Sequence, residues 1–545
     1  MKLPAVFFLL LSFLACSAQT VSVDKNIQYQ TIEGFGAFGG NKPWWEPGPH
    51  FDEAFLTKTI DDLGMTFFRT QIYWDGESEN DNDDPNVLNM AGFDFGPTSD
   101  NGKQFPFITA LAAKGAKLLA TVWTPPIWMK LRDDQERIPD ECYNCYQCPK
   151  GSAGTEMCGG RLNPEHYDEY AEYLVAYVKT LKQETGVDLY GISIQNEPFF
   201  ANPFESNVVL PEEYADILKA VAERFNAEGI TTKFFGPEHM AEWSWGWQQK
   251  YVQETLGDPS VKPHLDIYAV HSYVDGVAPD YGSAEGWTSL HDNITVAHGK
   301  PLWMTETSDF NTTGFDLGLS MAKSLYLAMR FGHISGWVYW SIHDAIVKNN
   351  QLTPLGYAFK NYYRYVRPGT VRIETNSSDA SILPLAFLHP QTNEFTLVLI
   401  NQGTASLNVD LSIPFEHGEL TLYRTSATEN CKDMGVYGLE SITLPPKSIS
   451  TLSTITGSGV TPVEKKKGAR VNVFPNPTDA TVVVEYEVSA PSRTLRVLDQ
   501  LGRPVLERFS HTQDRYEIDT SGMKGVYFLE VGEGSEKSIH KIVVK

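Results

Sequence analysis

Positive charge and cysteine are scarce in this sequence, and after the first twenty residues no apolar run is long enough to cross a membrane. The 545 residues carry 68 Asp and Glu against 44 Lys and Arg, a formal net charge of −24. An acidic surface repels nucleic acid and anionic membrane, which argues against both as partners and leaves a neutral or cationic ligand. The one apolar run, Val6 to Leu14, is too short for a stable span. Lys2 precedes it and small residues, Ala15 to Ala18, come after it, the layout of an export signal over residues 1–18. Lipidation of Cys16 is the alternative, with Phe13 a poor match three positions before it. The mature chain is expected to be exported, secreted or held at the cell surface, with no stable membrane span.

Four of the six cysteines crowd one stretch, "ECYNCYQCPKGSAGTEMCGG", as Cys142, Cys145, Cys148 and Cys158. In an exported chain they read as one or two disulfides stapling a long loop. A four-thiolate zinc site is the sharper alternative. Cys431 stands alone and is expected to be a buried free thiol.

What is abundant is alternation of strand and helix. Apolar strands are expected at "TIEGFGAFGG" from Thr31, Phe67–Tyr73, Lys117–Trp123, Leu189–Gln195, Lys233–Glu238, Leu265–Tyr273, Pro301–Thr307 and Gly336–Ser341. Helical patterns lie between them: Asn163 caps a helix with Pro164 in its first turn, and Tyr214, Ile217, Leu218, Val221, Ala222 and Phe225 recur at helical spacing. Eight such pairs specify an α/β fold, a (β/α)8 TIM barrel over residues 19–366, whose first residues are expected to join a neighbouring β domain. From 367 to 455 short alternating strands such as "FTLVLINQ" predict that domain, an associated β-sandwich. Residues 456–470 read as a linker, and 471–545 as a small all-β C-terminal module.

Barrel chemistry gathers at the carboxyl ends of the strands. Those positions hold Arg69, Trp123, Asn196, Glu197, Glu238, His271, Tyr273, Glu306 and Trp340. Arg69 can pair with a buried carboxylate, the Trp residues can be rim packing, and Glu238 reads as structural. Glu197 and Glu306 are different, because ends of the fourth and seventh strands can converge on one bond. Glycoside hydrolysis needs such a pair: one carboxylic acid protonates the leaving oxygen, and one carboxylate attacks the anomeric carbon or activates water. Asn196 beside Glu197 can donate to a sugar 2-hydroxyl. No metal and no cofactor is expected.

With "IEGFGAF", "WTPPIWMK", "YGISIQNEP", "LDIYAVHSY", "LWMTE", "WVYWS" and "YYRYVRPGTVRI", the stretch from Thr31 to about Ile455 resembles glycoside hydrolase family 30. The resemblance implies Glu197 as acid/base, Glu306 as nucleophile, Arg69, Trp123, Asn196, Tyr273 and Trp340 lining the cleft, and His271 supporting them. "LYGISIQNEP", "GKPLWMTE" and "YVRPGTVRI" are most similar to the family's bacterial xylanase branch. Members specific for glucuronoxylan carry an Arg just past the eighth strand; here "YWSIHDAIVKNNQ" has none, only His343 and Lys348. "VFPNPT", "DQLGRPV", "SGMKGVYFLEV" and "KIVVK" resemble the C-terminal sorting domain of type IX secretion, which implies the secretion machinery as partner. The expected substrate is a β-linked polysaccharide or oligosaccharide, cleaved by a secreted retaining hydrolase like an endo-β-1,4-xylanase, without an obligatory glucuronate. An exo-acting β-glucosidase, β-xylosidase or β-1,6-glucanase type is the alternative, and a non-catalytic carbohydrate-binding protein a more remote one.

Overall fold

The computed structural model describes residues 19–39, 53–82, 84–131, 157–201, 204–273, 283–343, 345–438, 441–456, 471–486, 495–499, 503–508, 515–531 and 538–545. The export signal, almost all of the linker, Trp44, Trp45, Cys142, Cys145 and Cys148 lie outside the described residues.

Eight parallel strands close into a barrel in chain order: β1 Gly34–Phe38, β2 Phe67–Ile72, β3 Lys117–Val122, β4 Gly191–Ser193, β5 Lys233–Met240, β6 Ile267–Tyr273, β7 Leu302–Ser308 and β8 Gly336–Tyr339. All eight apolar runs became these strands. The fourth is shortened to three residues, since the Asn-Glu-Pro behind it turns away from the ladder. The outer ring carries α1 Asp100–Ala113, α2 Tyr167–Thr185, α3 Pro211–Ala227, α4 Trp247–Thr255, α5 Ala284–Leu290, α6 Gly314–Arg330 and α7 Pro354–Tyr363. Asn163 accepts from the Glu165 amide and Pro164 opens the turn leading into α2, while α3 buries the six apolar residues its spacing marked.

Period-two alternation divides each barrel strand. Phe67, Leu119, Phe235, Ile267, Ala269, Trp303 and Val338 point inward and plug the barrel with apolar side chains. Their neighbours, such as Phe68, Leu118, Ala120, Tyr268, Val270 and Met304, pack outward under the helices. The plug leaves the layer above it, at the carboxyl ends, for polar groups. β1 lies close against β2 because residue 36 is glycine: a Cβ there would sit 1.9 Å from the Phe67 carbonyl oxygen.

The expected sandwich is built as a single nine-stranded sheet curled over its own core. Its strands are β9 Val371–Ser377, β10 Ile382–Leu388, β11 Phe395–Asn401, β12 Leu407–Ser412, β13 Thr421–Ser426, β14 Glu429–Val436, β15 Ile442–Leu444 and β16 Ser448–Ser453, with an N-terminal strand, Gln19–Thr31. The order is β14-β13-β16-β11-β10-β9-N-terminal strand-β12-β15. Parity again assigns the faces. Leu385, Phe387, Val398, Ile400 and Ile449 face the barrel helices, while Ile382, Ala386, Phe395, Leu397 and Leu399 line the sheet's own core with Val21, Val23 and Leu452. Arg330 of α6 clamps Glu374 of β9 with two hydrogen bonds of 2.9 Å. Cys431 on β14 is a buried free thiol, and Cys158 is disulfide-bonded.

Residues Val460–Lys545 form a second compact unit. A three-stranded sheet (Val471–Phe474, Thr481–Tyr486, Arg515–Asp519) and a four-stranded sheet (Leu495–Leu498, Pro504–Arg508, Gly525–Val531, Ser538–Val544) share a core of Val482, Val484, Leu495, Val497, Ile518, Leu529, Ile542 and Val544. Among the described residues no helix is long and apolar enough to cross a membrane.

Candidate active site

Above the apolar plug the strands present Arg69, Thr121, Glu238, His271 and Glu306. Arg69 and His271 are inward by simple alternation, two residues after Phe67 and Ala269. Glu306 is not: it lies three residues past the inward Trp303, and alternation alone would turn Thr305 inward. A register shift in the β6–β7 ladder between Met304 and Glu306 supplies the extra residue. A second shift, between Pro237 and His239, does the same for Glu238. Glu238 and Glu197 both adopt left-handed backbone conformations, φ 59° and 39°, which are costly for residues with a Cβ. The fold thus holds two of its three central carboxylates on strained backbone.

The groups converge tightly. Arg69, fully buried, donates through Nη1 to Glu306 Oε2 at 2.8 Å, through Nη2 to Asn196 Oδ1 at 2.7 Å, and through Nε to Thr121 Oγ1 at 3.1 Å. Its Nη2 also lies 3.1 Å from Glu238 Oε1. His271 Nδ1 is 2.8 Å from Glu197 Oε1, and its Nε2 is 3.4 Å from Glu238 Oε1. The Tyr273 hydroxyl donates to Glu306 Oε1. Glu197, His271 and Glu306 each bring one ligand-type atom within 4.8 Å of the other two.

Three carboxylates here face two cations. Burial disfavours charge on His271, yet Glu306, Glu197 and Glu238 outweigh it and carry the imidazole up to about 9. For Glu238 burial pushes upward, but Arg69 and His271 prevail and hold it down at about 2. Burial, and then the Glu306 carboxylate, push Glu197 above the ordinary Glu range against the pull of His271 and Arg69. Of Glu197 and Glu238, it is Glu197 that these forces push toward the protonated form.

Trp123 lies nearly buried under the Arg69 guanidinium, whose carbon is 4.7 Å from its ring centroid. Trp340, half-buried, stacks on Phe38 at 4.9 Å and 17°. Of the site residues read from the sequence, Glu197, Glu306, Asn196, Arg69, His271 and Tyr273 meet in one hydrogen-bonded cluster, with Trp123 and Trp340 forming its aromatic wall. Phe38, linking those two Trp rings, was missed because "GFGAF" offers no polar signal. Also missed were Gln71 and its partner Glu205, whose carboxyl is raised by burial to about 7. Gln71 had a signal: it comes two residues after Arg69 on the same strand face. Phe310, 67% exposed and stacked 6.0 Å from Tyr273, extends the wall outward. Past β8, His343 stacks on Phe55 at 5.2 Å and Lys348 is exposed.

Comparison with known proteins agrees with this architecture. Residues 472–545 match the family model of the secretion system C-terminal sorting domain. The chain is 26% identical over 403 residues to the glucuronoxylanase XynC of Bacillus subtilis (strain 168), covering 72% of this chain and 80% of that protein. The structure is similar to a GH30 endoxylanase from Clostridium papyrosolvens C71, with TM-score 0.60 and 23% identity over 80% of this chain and 99% of that one. It is equally similar to an endo-beta-1,6-glucanase, with TM-score 0.60 and 22% identity over 81% of this chain and 96% of that one. The first unit therefore has the family 30 glycoside hydrolase fold, and the second is a sorting domain.

Proposed function

We propose that the barrel is a retaining glycoside hydrolase in which Glu306 is the nucleophile and Glu197 the acid/base. The observation that carries this is the pairing of Glu197, pushed upward by burial and by the Glu306 carboxylate, with a Glu306 fixed by Arg69 and Tyr273, one carboxyl oxygen of each within 4.8 Å of the other. Retaining enzymes place the two carboxyls about 5–5.5 Å apart, whereas inverting enzymes leave about 6.5–9.5 Å for a water. Glu306 attacks the anomeric carbon as Glu197 gives its proton to the departing glycosidic oxygen. Glu197 then takes a proton from the water that frees the sugar from Glu306. With an N–H of His271 on Oε1, the acid proton of Glu197 belongs on Oε2. Asn196 Oδ1 accepts from Arg69, which fixes the amide so that its NH2, without a protein acceptor among the described residues, is available to a sugar 2-hydroxyl.

For substrate, the likeness to xylanases supports a β-1,4-xylan backbone cut internally. The stretch just past β8, "SIHDAIVKNNQ", has no Arg, so the bidentate grip on a glucuronate carboxylate is missing from that position, and exposed Lys348 offers only a point charge. A β-1,6-glucan is the second reading, favoured by the equal likeness to the glucanase. The test compares kcat/KM and products on glucuronoxylan, undecorated xylan and β-1,6-glucan. The xylan reading expects internal cleavage of both xylans within about tenfold of each other. A preference of about ten- to a hundredfold for the decorated polymer would mean that another residue grips the carboxylate. Single sugars released from aryl glycosides, with no polymer cut, would make the enzyme exo-acting.

A further inference from the structure

Among the described residues Phe310 is the most exposed of the large apolar side chains, at 67%. A single apolar side chain on a surface is ordinary and calls for no function. Phe310 differs in what holds it and in what it touches. It lies four residues past Glu306, in the loop between β7 and α6. The residue before it, Asp309, is buried and braces that turn. Its Oδ1 accepts from the backbone amides of Asn311 at 2.9 Å and Thr312 at 3.2 Å, and its Oδ2 from the hydroxyls of Thr312 at 2.6 Å and Ser320 of α6 at 3.1 Å. The Phe310 ring stacks on Tyr273, 6.0 Å away and within 21° of parallel, and the Tyr273 hydroxyl donates to Glu306 Oε1. One chain of contacts thus runs from an exposed ring on a braced turn to a carboxylate at the centre of the cluster.

From this placement we propose that Phe310 is a specificity-determining residue: a stacking platform for the sugar unit next to the one at Glu306, on the side away from the leaving group. The proposal rests on the reading of Glu306 as nucleophile and Glu197 as acid/base. Topology assigns the side. β4 and β7 lie three strands apart round the ring of eight, so the loops that carry Glu197 and Phe310 rise from well-separated parts of the barrel mouth. The leaving group goes to Glu197, which leaves the preceding units of the chain to the β7 side. The ring itself sets the ligand class. Phenylalanine offers an apolar face and no hydrogen-bonding handle, so it recognises shape alone. A β-linked xylo- or glucopyranose, its hydroxyls equatorial, turns a C–H face to such a ring, and stacking there takes the apolar surface of both out of water. Xylose and glucose units both qualify, so the platform serves either substrate reading given above.

The rival role is a cover, a ring that keeps water from the Tyr273–Glu306 hydrogen bond and touches no sugar. Two aryl glycosides separate the roles, one carrying a single xylose and one carrying xylobiose, since they share a leaving group and differ only in the second sugar. Measured on the mature full-length protein, the ratio of kcat/KM for the bioside over the monoside should fall about tenfold in Phe310→Ala, through KM, and return in Phe310→Trp. Aryl β-glucoside and β-gentiobioside make the same measurement for a β-1,6-glucan enzyme. A cover would cost both substrates alike, and an unmoved ratio overturns the platform. A loss seen only when sugars are added to the leaving group would put the ring on the other side of the bond and overturn the assignment. Titration calorimetry with xylohexaose and with a β-1,6-linked glucohexaose, on proteins silenced by Glu306→Gln with and without Phe310→Ala, reads the platform without turnover. An affinity about tenfold weaker without the ring supports it even where the catalytic roles are wrongly assigned, and equal affinities overturn it even where they are right.

Discussion

Arg69 lies 2.8 Å from Glu306 and 3.1 Å from Glu238, so a single buried guanidinium ties the proposed nucleophile to a second carboxylate. The pairing aims one Glu306 oxygen while Tyr273 fixes the other. Lysine keeps the charge but cannot fork between two acids. Arg69→Lys should therefore leave the protein folded and lower kcat by about ten- to a hundredfold, the value of one or two charged hydrogen bonds, with KM little changed. A KM rise at constant kcat would mean that Arg69 grips substrate instead.

The two catalytic roles separate with the leaving group. Glu306→Gln should abolish turnover on every substrate, by about 10⁴-fold or more, since no nucleophile is left. Glu197→Gln should cost about 10²–10⁴-fold on xylan, whose leaving sugar needs a proton, and far less in the first step with an activated aryl glycoside. Burst kinetics with such a glycoside check this. Equal losses on both substrates would reverse the assignment of Glu197.

The strands were legible in the sequence because apolar alternation and turn residues mark them, and "NEP" and "WMTE" sit where the strands end. What was not legible is the pair of register shifts that turn Glu238 and Glu306 inward. Alternation from Trp303 points to Thr305, and a bulge is set by packing across the ladder, which no single strand reveals. The same reason hid the role of Glu238: read alone it is structural, and it is the pairing with Arg69 that draws it into the cluster. A single curled sheet was likewise indistinguishable from a two-sheet sandwich, since both need the same alternating strands.

Stability should show the cluster's charges. His271 is raised from 6.5 to about 9 in the fold, so its contribution is fully present below about pH 6.5 and is lost as pH rises through about 9. Glu238 is lowered from 4.5 to about 2, so its contribution is present above about pH 4.5 and fades as pH falls toward 2. Glu197, raised, loses stability in the same direction as His271. Melting scans from about pH 4 to 10 should fall on the alkaline side between about 7 and 9, and His271→Gln should flatten that limb. Activity should fall on the alkaline side as Glu197, raised by burial and by Glu306, gives up its proton. An alkaline limb unchanged in His271→Gln would mean that other groups set it.

The sorting domain offers the last test. Its strands enclose a core of their own, and among the described residues the barrel's carboxylates are held by barrel residues. Among the described residues the hydrogen bonds of the catalytic cluster come from the barrel, so a chain ending before Val471 should keep the melting transition of the first unit and kcat within about twofold of the full protein. Export is the property expected to fail: expressed in a host with the matching secretion machinery, the shortened chain should accumulate inside the outer membrane, active but not released. Fractionation with an activity assay on each fraction reads both outcomes at once. A purified truncation with a large loss of kcat would show that the domain serves the enzyme as well as its export, and normal release without it would remove the sorting role.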